Sequence, residues 1–340
     1  MSRNDNIIDC MVMLVLPLAS VMSGCIFDHD VPCPPDAGGS FTIVNDWAEA
    51  PGADPAGMEY LFFPEEGGEP WRFDFAGRDA GQVRLPYGRY RFIMRNNDTS
   101  GVLFSGTDSY SDYEAHCRAG SLLDGLGTGY TALKPPPPVR PGLPEPVCIT
   151  PDMMWGAVSD YIEVTPGGVV YRSPGDTADP AVAGSMPSDT LLCRPCRLTA
   201  RYEWKITDVA NLPGARRMCA VISGMSNSLN FASGITGPEA YLLPLAARRM
   251  PGGVIGSQFF TYGYARGKAR QWLALYVWMS DGEKLCYQFD VSDQVREAPD
   301  PFNVSICIRG LELPDKPGVD SGGMDAGVDG WQTVIIELGG

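Results

Sequence analysis

Leu198-Thr199-Ala200-Arg201-Tyr202-Glu203-Trp204-Lys205-Ile206 alternates apolar and polar residues without a break. A period of two places successive side chains on opposite faces of an extended chain. Leu198, Ala200, Tyr202, Trp204 and Ile206 therefore define the buried face of a strand. The alternation recurs at Trp71/Phe73/Phe75, Tyr90/Phe92/Met94, Leu285/Tyr287/Phe289/Val291, Val304/Ile306/Ile308 and Val334/Ile336/Leu338. Gln271 to Met279 is apolar on both faces and reads as a central strand. Ser280-Asp281-Gly282-Glu283 should turn it into the Leu285 strand as a hairpin. Only Ser111 to Leu123 and Gly237 to Arg249 read as short turns or helices. With 40 glycines and 30 prolines punctuating the runs, the chain reads as all-β and of the sandwich type.

At 340 residues, two domains are the natural count. We place the division at Gly167-Gly168, with one sandwich over 41–165 and a second over 166–340. The proline-rich run from Lys134 to Pro146 reads as an extended, stiff loop or spacer.

Residues 1–24 read as a leader. The uncharged apolar run Met11 to Met22 is shorter than the roughly 20 residues of a bilayer-spanning helix. It leads into Ser23-Gly24-Cys25. This resembles a bacterial lipoprotein signal peptide, cleaved between Gly24 and Cys25, with Cys25 becoming the lipidated (palmitate-bearing) residue. Residues 25–40 would then be a tether. Ile26 after the cysteine resembles lipoproteins sent to the cell outer membrane. The formal net charge of −15 repels nucleic acid and anionic headgroups, so membrane contact is expected through acyl chains.

Of ten cysteines, Cys10 lies in the leader and Cys25 would be lipidated. The other eight permit disulfides in an exported chain, with their pairing open. Cys219, Cys286 and Cys307 fall within strand-like runs, where cysteine packs as a small hydrophobe. Cys193-Arg-Pro-Cys196 leads into a strand, whereas a redox motif opens a helix. The only histidines are His29 and His116, too few for a zinc set and a poor basis for a nucleophile–histidine pair. No G-x-S-x-G and no phosphate-cradling loop occurs. We expect no enzyme activity and no cofactor. Asp320, Asp325 and Asp329 could line a calcium site, but their spacing departs from the EF-hand and a solvated acidic loop is the plainer account. Trp155, Trp204, Trp272, Trp278 and Trp331 sit mostly in alternating runs, as core residues do, although a sugar-stacking platform is the rival reading.

Gly57-Met-Glu-Tyr-Leu-Phe-Phe-Pro64, Gly88-Arg-Tyr-Arg-Phe-Ile-Met-Arg-Asn-Asn97, Tyr276-Val-Trp278, Phe289-Asp-Val-Ser292 and Val328-Asp-Gly-Trp331 follow the leader in order. Together they resemble the fimbrillin-type and fimbrial-anchor (FimB-like) lipoproteins of Bacteroidales, in a branch without an assigned role. The resemblance implies two tandem transthyretin-like Greek-key β-sandwich domains. It also implies a surface-exposed outer-membrane lipoprotein that acts as anchor, accessory or assembly component of a fimbria-like fibre involved in cell adhesion. Its partners would be fimbrillin-like subunits, met through β-strand pairing. Val334, Ile336 and Leu338 would be register residues of an exchanged strand, or else belong to a permanent edge strand. The alternative role is a surface lipoprotein binding a glycan or another extracellular, host-derived ligand through sandwich-end loops.

Overall fold

The structure, a computed structural model, describes residues 38–127, 137, 139, 145–172, 187–267, 270–316 and 330–336. It is built almost wholly of strands, arranged as two sandwich lobes, as the alternating pattern predicts.

The first lobe uses β1 (Gly38–Asn45), β2 (Gly57–Pro64), β3 (Trp71–Ala76), β4 (Gln82–Pro86) and β5 (Gly88–Asn96). After β6 (Val102–Ser105) and β7 (Glu114–Cys117), which leave it, the chain returns with β8 (Trp155–Thr165), β9 (Gly168–Arg172), β10 (Thr190–Cys193) and β11 (Cys196–Arg197). One sheet runs β10-β1-β4, and the other runs β11-β8-β5-β2-β3 with β9 beside β8. Between them lie Phe41, Ile43, Val83, Leu85 and Leu191 from the first sheet and Met58, Tyr60, Phe62, Phe92 and Ile162 from the second. These residues alternate along each strand, which is how one face of a sheet is buried.

The division expected between 165 and 166 falls inside a hairpin. Thr165 pairs with Gly168 and Val164 with Val169, so Pro166-Gly167 is the turn of β8 and β9. Further on, β10 lies parallel to β1 and β11 pairs with β8, so the first lobe extends to Arg197. A glycine pair marks a turn, and a turn within a sheet carries the same residues as a turn between domains.

The second lobe follows with β12 (Ala200–Ala210), β13 (Ala215–Met225), β14 (Ser228–Asn230), β15 (Ile235–Thr236), β16 (Tyr241–Ala246), β17 (Arg248–Met250) and β18 (Val254–Thr261). It ends with β19 (Trp272–Met279), β20 (Lys284–Asp290), the short helix α1 (Ser292–Arg296), β21 (Asn303–Glu312) and β22 (Trp331–Ile336). Its sheets run β17-β18-β12-β21 and β16-β13-β19-β20-β22. Tyr202, Trp204 and Ile206 of β12 are buried in the core while Arg201 is exposed, as their alternation requires. The Trp204 indole donates to Ser257 Oγ at 2.9 Å, satisfying its one polar atom. β19 is central and forms a hairpin with β20, as expected.

Gly237 to Arg249 is not helical: it holds β16 and β17, and Leu243 and Leu245 of β16 face the core. Ser111 to Leu123 likewise carries β7 rather than a helix, with a single 3-10 turn following at Asp124–Leu126. Two residues of the proline-rich run pack against the second lobe. Val139 is buried with Leu123, Cys219, Val221, Tyr276 and Trp278, and Tyr276 Oη donates to the Pro137 carbonyl at 2.8 Å. This sheet is apolar on both faces, so its outer face needs a cover, and the chain after β7 provides one.

The lobes are joined through β6 and β7, which pair with β14 and β15 in the order β15-β14-β7-β6. At this junction the Arg95 guanidinium pairs with the buried Glu59 carboxylate, donates from Nε to Tyr113 Oη at 2.9 Å and lies 3.6 Å from the Phe104 ring centre. Arg72 Nε reaches the same Glu59 at 2.6 Å. Tyr113 in turn meets Phe231 of the second lobe edge-to-face at 5.2 Å.

Candidate functional site

Two features leave strand edges open. The first is β22. Trp331-Gln-Thr-Val-Ile-Ile336 carries no charge, proline or glycine, and β-branched residues favour the extended chain. It lies parallel to β20, with Lys284 opposite Trp331 and Phe289 opposite Ile336. It ends the sheet, and no other described strand pairs along its outer side. Trp331 pins its start, edge-to-face against Trp278 at 4.9 Å and Tyr276 at 5.4 Å. Beyond that anchor the strand is thinly covered: Val334 is 41% exposed and Ile335 57%. Ile336 is half-buried against the core.

The second feature is a cleft of about 350 Å³ in the first lobe, lined among others by Phe92, Val158, Tyr171, Leu192 and Arg194. Its cause is a gap in the ladder. β11 pairs with β8 at Trp155 and Gly156, and β9 at Tyr161 to Thr165. No described strand pairs with residues 157–159 on that side. Facing the gap is β10, which pairs only with β1 among the described strands. The floor is Phe92 and Cys193 of the sandwich core. Val158, Tyr171 and Leu192 stand exposed at the mouth, and Tyr171 Oη donates to the Leu192 carbonyl across it.

The candidate residues of the terminal strand divide. Val334 and Ile336 sit on β22 as alternate residues, while Leu338 lies outside the described residues. Gly24, Cys25, Asp320, Asp325 and Asp329 also lie outside them. Among the described residues no group of histidine, cysteine and carboxylate side chains could hold a metal ion. Cys193 ends β10 and Cys196 begins β11, so their motif carries the chain from one sheet to the other. Burial pushes the Cys193 thiol up to about 12 and raises Cys196 as well, the reverse of an activated thiolate. No helix among the described residues is long and apolar enough to cross a membrane.

Among the described residues no two tryptophans stack face to face. Trp204 and Trp278 are buried, and the one close tryptophan pair, Trp278 with Trp331, is edge-to-face at 78° rather than coplanar. The cleft was not foreseen from the sequence. Its one local trace is Leu191-Leu192, adjacent leucines that a strand must point to opposite faces.

A candidate adhesin from Bacteroides ovatus shares the fold, with a TM-score of 0.55 at 15% identity, covering 82% of this chain and 94% of that one. A candidate polysaccharide-binding protein from Bacteroides thetaiotaomicron superposes with a TM-score of 0.47 at 10% identity, over 79% of this chain and 89% of that one. The fimbrial anchor protein Mfa2 of Porphyromonas gingivalis gives 0.43 at 11% identity, over 80% and 89%. The last two superpose too loosely to carry an argument about role. The expected likeness to adhesin proteins of Bacteroidales thus holds at the level of fold. No curated protein matches the sequence. Residues 39–245 match a family described as a domain of unknown function (DUF5119), and the chain belongs to that family.

Proposed function

We propose that this chain is a surface-exposed outer-membrane lipoprotein that anchors or helps assemble a fimbria-like fibre through β-strand pairing. Cys25 carries the lipid and residues 25–37 tether the first lobe, three residues short of the expected tether because β1 already begins at Gly38 and pairs with β4. The observation that supports strand pairing best is the edge presented by β22. Soluble proteins blunt exposed edges with charge, proline or a covering element. Here the six residues are uncharged, and two adjacent aliphatic side chains stand exposed. An extended segment of a fibre subunit docking there would form main-chain hydrogen bonds for strength, with alternate side chains setting register. The edge beside β10, open among the described strands, gives the first lobe a second place of the same kind.

In intact cells, cross-linking and pull-down should recover fimbrillin-like subunits as a ladder. Val334→Lys with Ile335→Lys should abolish the ladder without unfolding the chain, because both side chains are already exposed. A ladder unchanged by the two lysines would sink the edge-pairing reading. The lipid anchor is tested separately by Cys25→Ala, which should move the protein out of the membrane pellet; retention there would refute it.

A further inference from the structure

Residues 118–120 and 147–149 run antiparallel: Ile149 N–H donates to the Arg118 carbonyl at 2.9 Å and Gly120 N–H to the Val147 carbonyl at 3.0 Å, with Ala119 opposite Cys148. Cys117 lies one alternate position from Ala119, so it shares the face of the pair that Cys148 occupies. Both side chains are buried in one core cluster, where the two thiols, free in the structure, lie close enough to interact.

No other described cysteines are so placed. Cys219 and Cys286 share a sheet face, but Tyr276 of the intervening strand lies opposite each. Two strand spacings, roughly 9–10 Å, exceed the reach of a disulfide. Cys196 turns its thiol to the Gly156 carbonyl, and Cys193 lies across in the other sheet.

We propose that Cys117 and Cys148 form a structural disulfide that fastens the segment covering the second lobe. Between them runs the chain that carries Leu123, Val139 and Val147 onto the outer face of the β13–β19–β20 sheet. The bond would therefore clamp both ends of that cover, beside the sheet that ends in β22. In forming it, two S–H bonds break and one S–S bond forms. Two protons and two electrons pass to an external disulfide of the glutathione or protein-disulfide class, which is reduced to two thiols. The hydrogen bond to Cys148 and burial both push the Cys117 thiol far above its ordinary range. Oxidation thus belongs to the folding chain, before the pair is enclosed, and the enclosed bond is then shielded from reductant.

The pairing itself stands apart from the fibre reading and is tested without it. The full chain is reduced, denatured, refolded in a buffer of glutathione and glutathione disulfide, capped with N-ethylmaleimide and digested with trypsin. Cleavage after Arg95, Arg118 and Arg172 separates residues 96–118 from 119–172, since Lys134 and Arg140 precede prolines. Those two peptides should appear joined and come apart on reduction. Their absence as a joined species, or Cys148 joined to another cysteine, overturns the proposal. A second measurement compares urea unfolding with and without reductant. Closing a loop of about 30 residues should shift the wild-type unfolding equilibrium on the order of several-hundred-fold. Reductant should not change the Cys117→Ala/Cys148→Ala double variant. A wild type indifferent to reductant refutes a structural bond.

Discussion

Replacing Trp331 by alanine should loosen β22 and leave the lobe beneath it folded. The indole lies edge-to-face on Trp278 at 4.9 Å and on Tyr276 at 5.4 Å. Each such pair contributes about 0.5–1.5 kcal/mol beyond the area it covers. The ring is only half-buried, so its loss should fall short of the roughly 3–5 kcal/mol of a fully buried tryptophan. A total of about 2–3 kcal/mol follows, or roughly 30- to 150-fold in the opening equilibrium of the strand. The rest of β22 offers little to resist it, since Gln332 to Ile335 are exposed. Trp331→Phe keeps a ring in the contact and removes an indole N–H that has no hydrogen-bond partner among the described residues, so it should cost far less. Native-state hydrogen exchange reads the difference directly. In Trp331→Ala, amides of β22 should exchange faster by that factor while those of β13 and β19 keep their wild-type rates. Equal acceleration in β19 would mean that β22 is part of the cooperative core, and no acceleration in β22 would mean that the aromatic contact does not hold it.

The Glu59–Arg95–Tyr113 junction makes a prediction in pH. Burial raises the Glu59 carboxyl above its ordinary value, outweighing the nearby Arg95 and Arg72 charges. Its contribution is therefore greatest below the ordinary carboxylate range and falls as pH rises through the elevated value. Urea unfolding between pH 4 and 8 should show wild type losing stability relative to Glu59→Gln as pH rises, and a flat difference would contradict that sign. Arg95→Ala strips the buried carboxylate of its closest cation and Tyr113 of its donor, and should cost about 3 kcal/mol by denaturant titration. Gly106, between β6 and β7, has φ +62°, and an added Cβ would lie 2.1 Å from the Asp112 carbonyl oxygen. Gly106→Ala should destabilise this lobe-joining hairpin by at least about 1 kcal/mol, and thermal denaturation showing no loss would refute the strain.

Much of the fold was legible because it is local. Apolar alternation at Tyr202/Trp204/Ile206 or Tyr287/Phe289 states which side of a strand is dry, whatever its neighbours, and Gln271 to Met279 declares a strand buried on both sides. The misreadings share one cause. Gly167-Gly168 signals a turn but not whether the chain then pairs with the strand it has just left. Gly237 to Arg249 lacks clean alternation because Leu242 and Leu243 face opposite sides of a sheet that is covered on both. Glu59 and Arg95 do stand out, as charges inside apolar strands, yet nothing local says that they meet.

By itself, then, the sequence determined that this is an all-β chain, which residues of each strand face a core, and where strands turn back on themselves. It also supplied the leader-like segment ending at Cys25. Only the tertiary structure decided which strands are neighbours: that β10 returns to β1, that β22 ends a sheet with one side open among the described strands, that Val139 packs onto a sheet, and that Cys117 lies near Cys148. Side-chain alternation is a property of one extended strand, whereas pairing depends on hydrogen bonds between segments far apart in the chain, which no local pattern encodes.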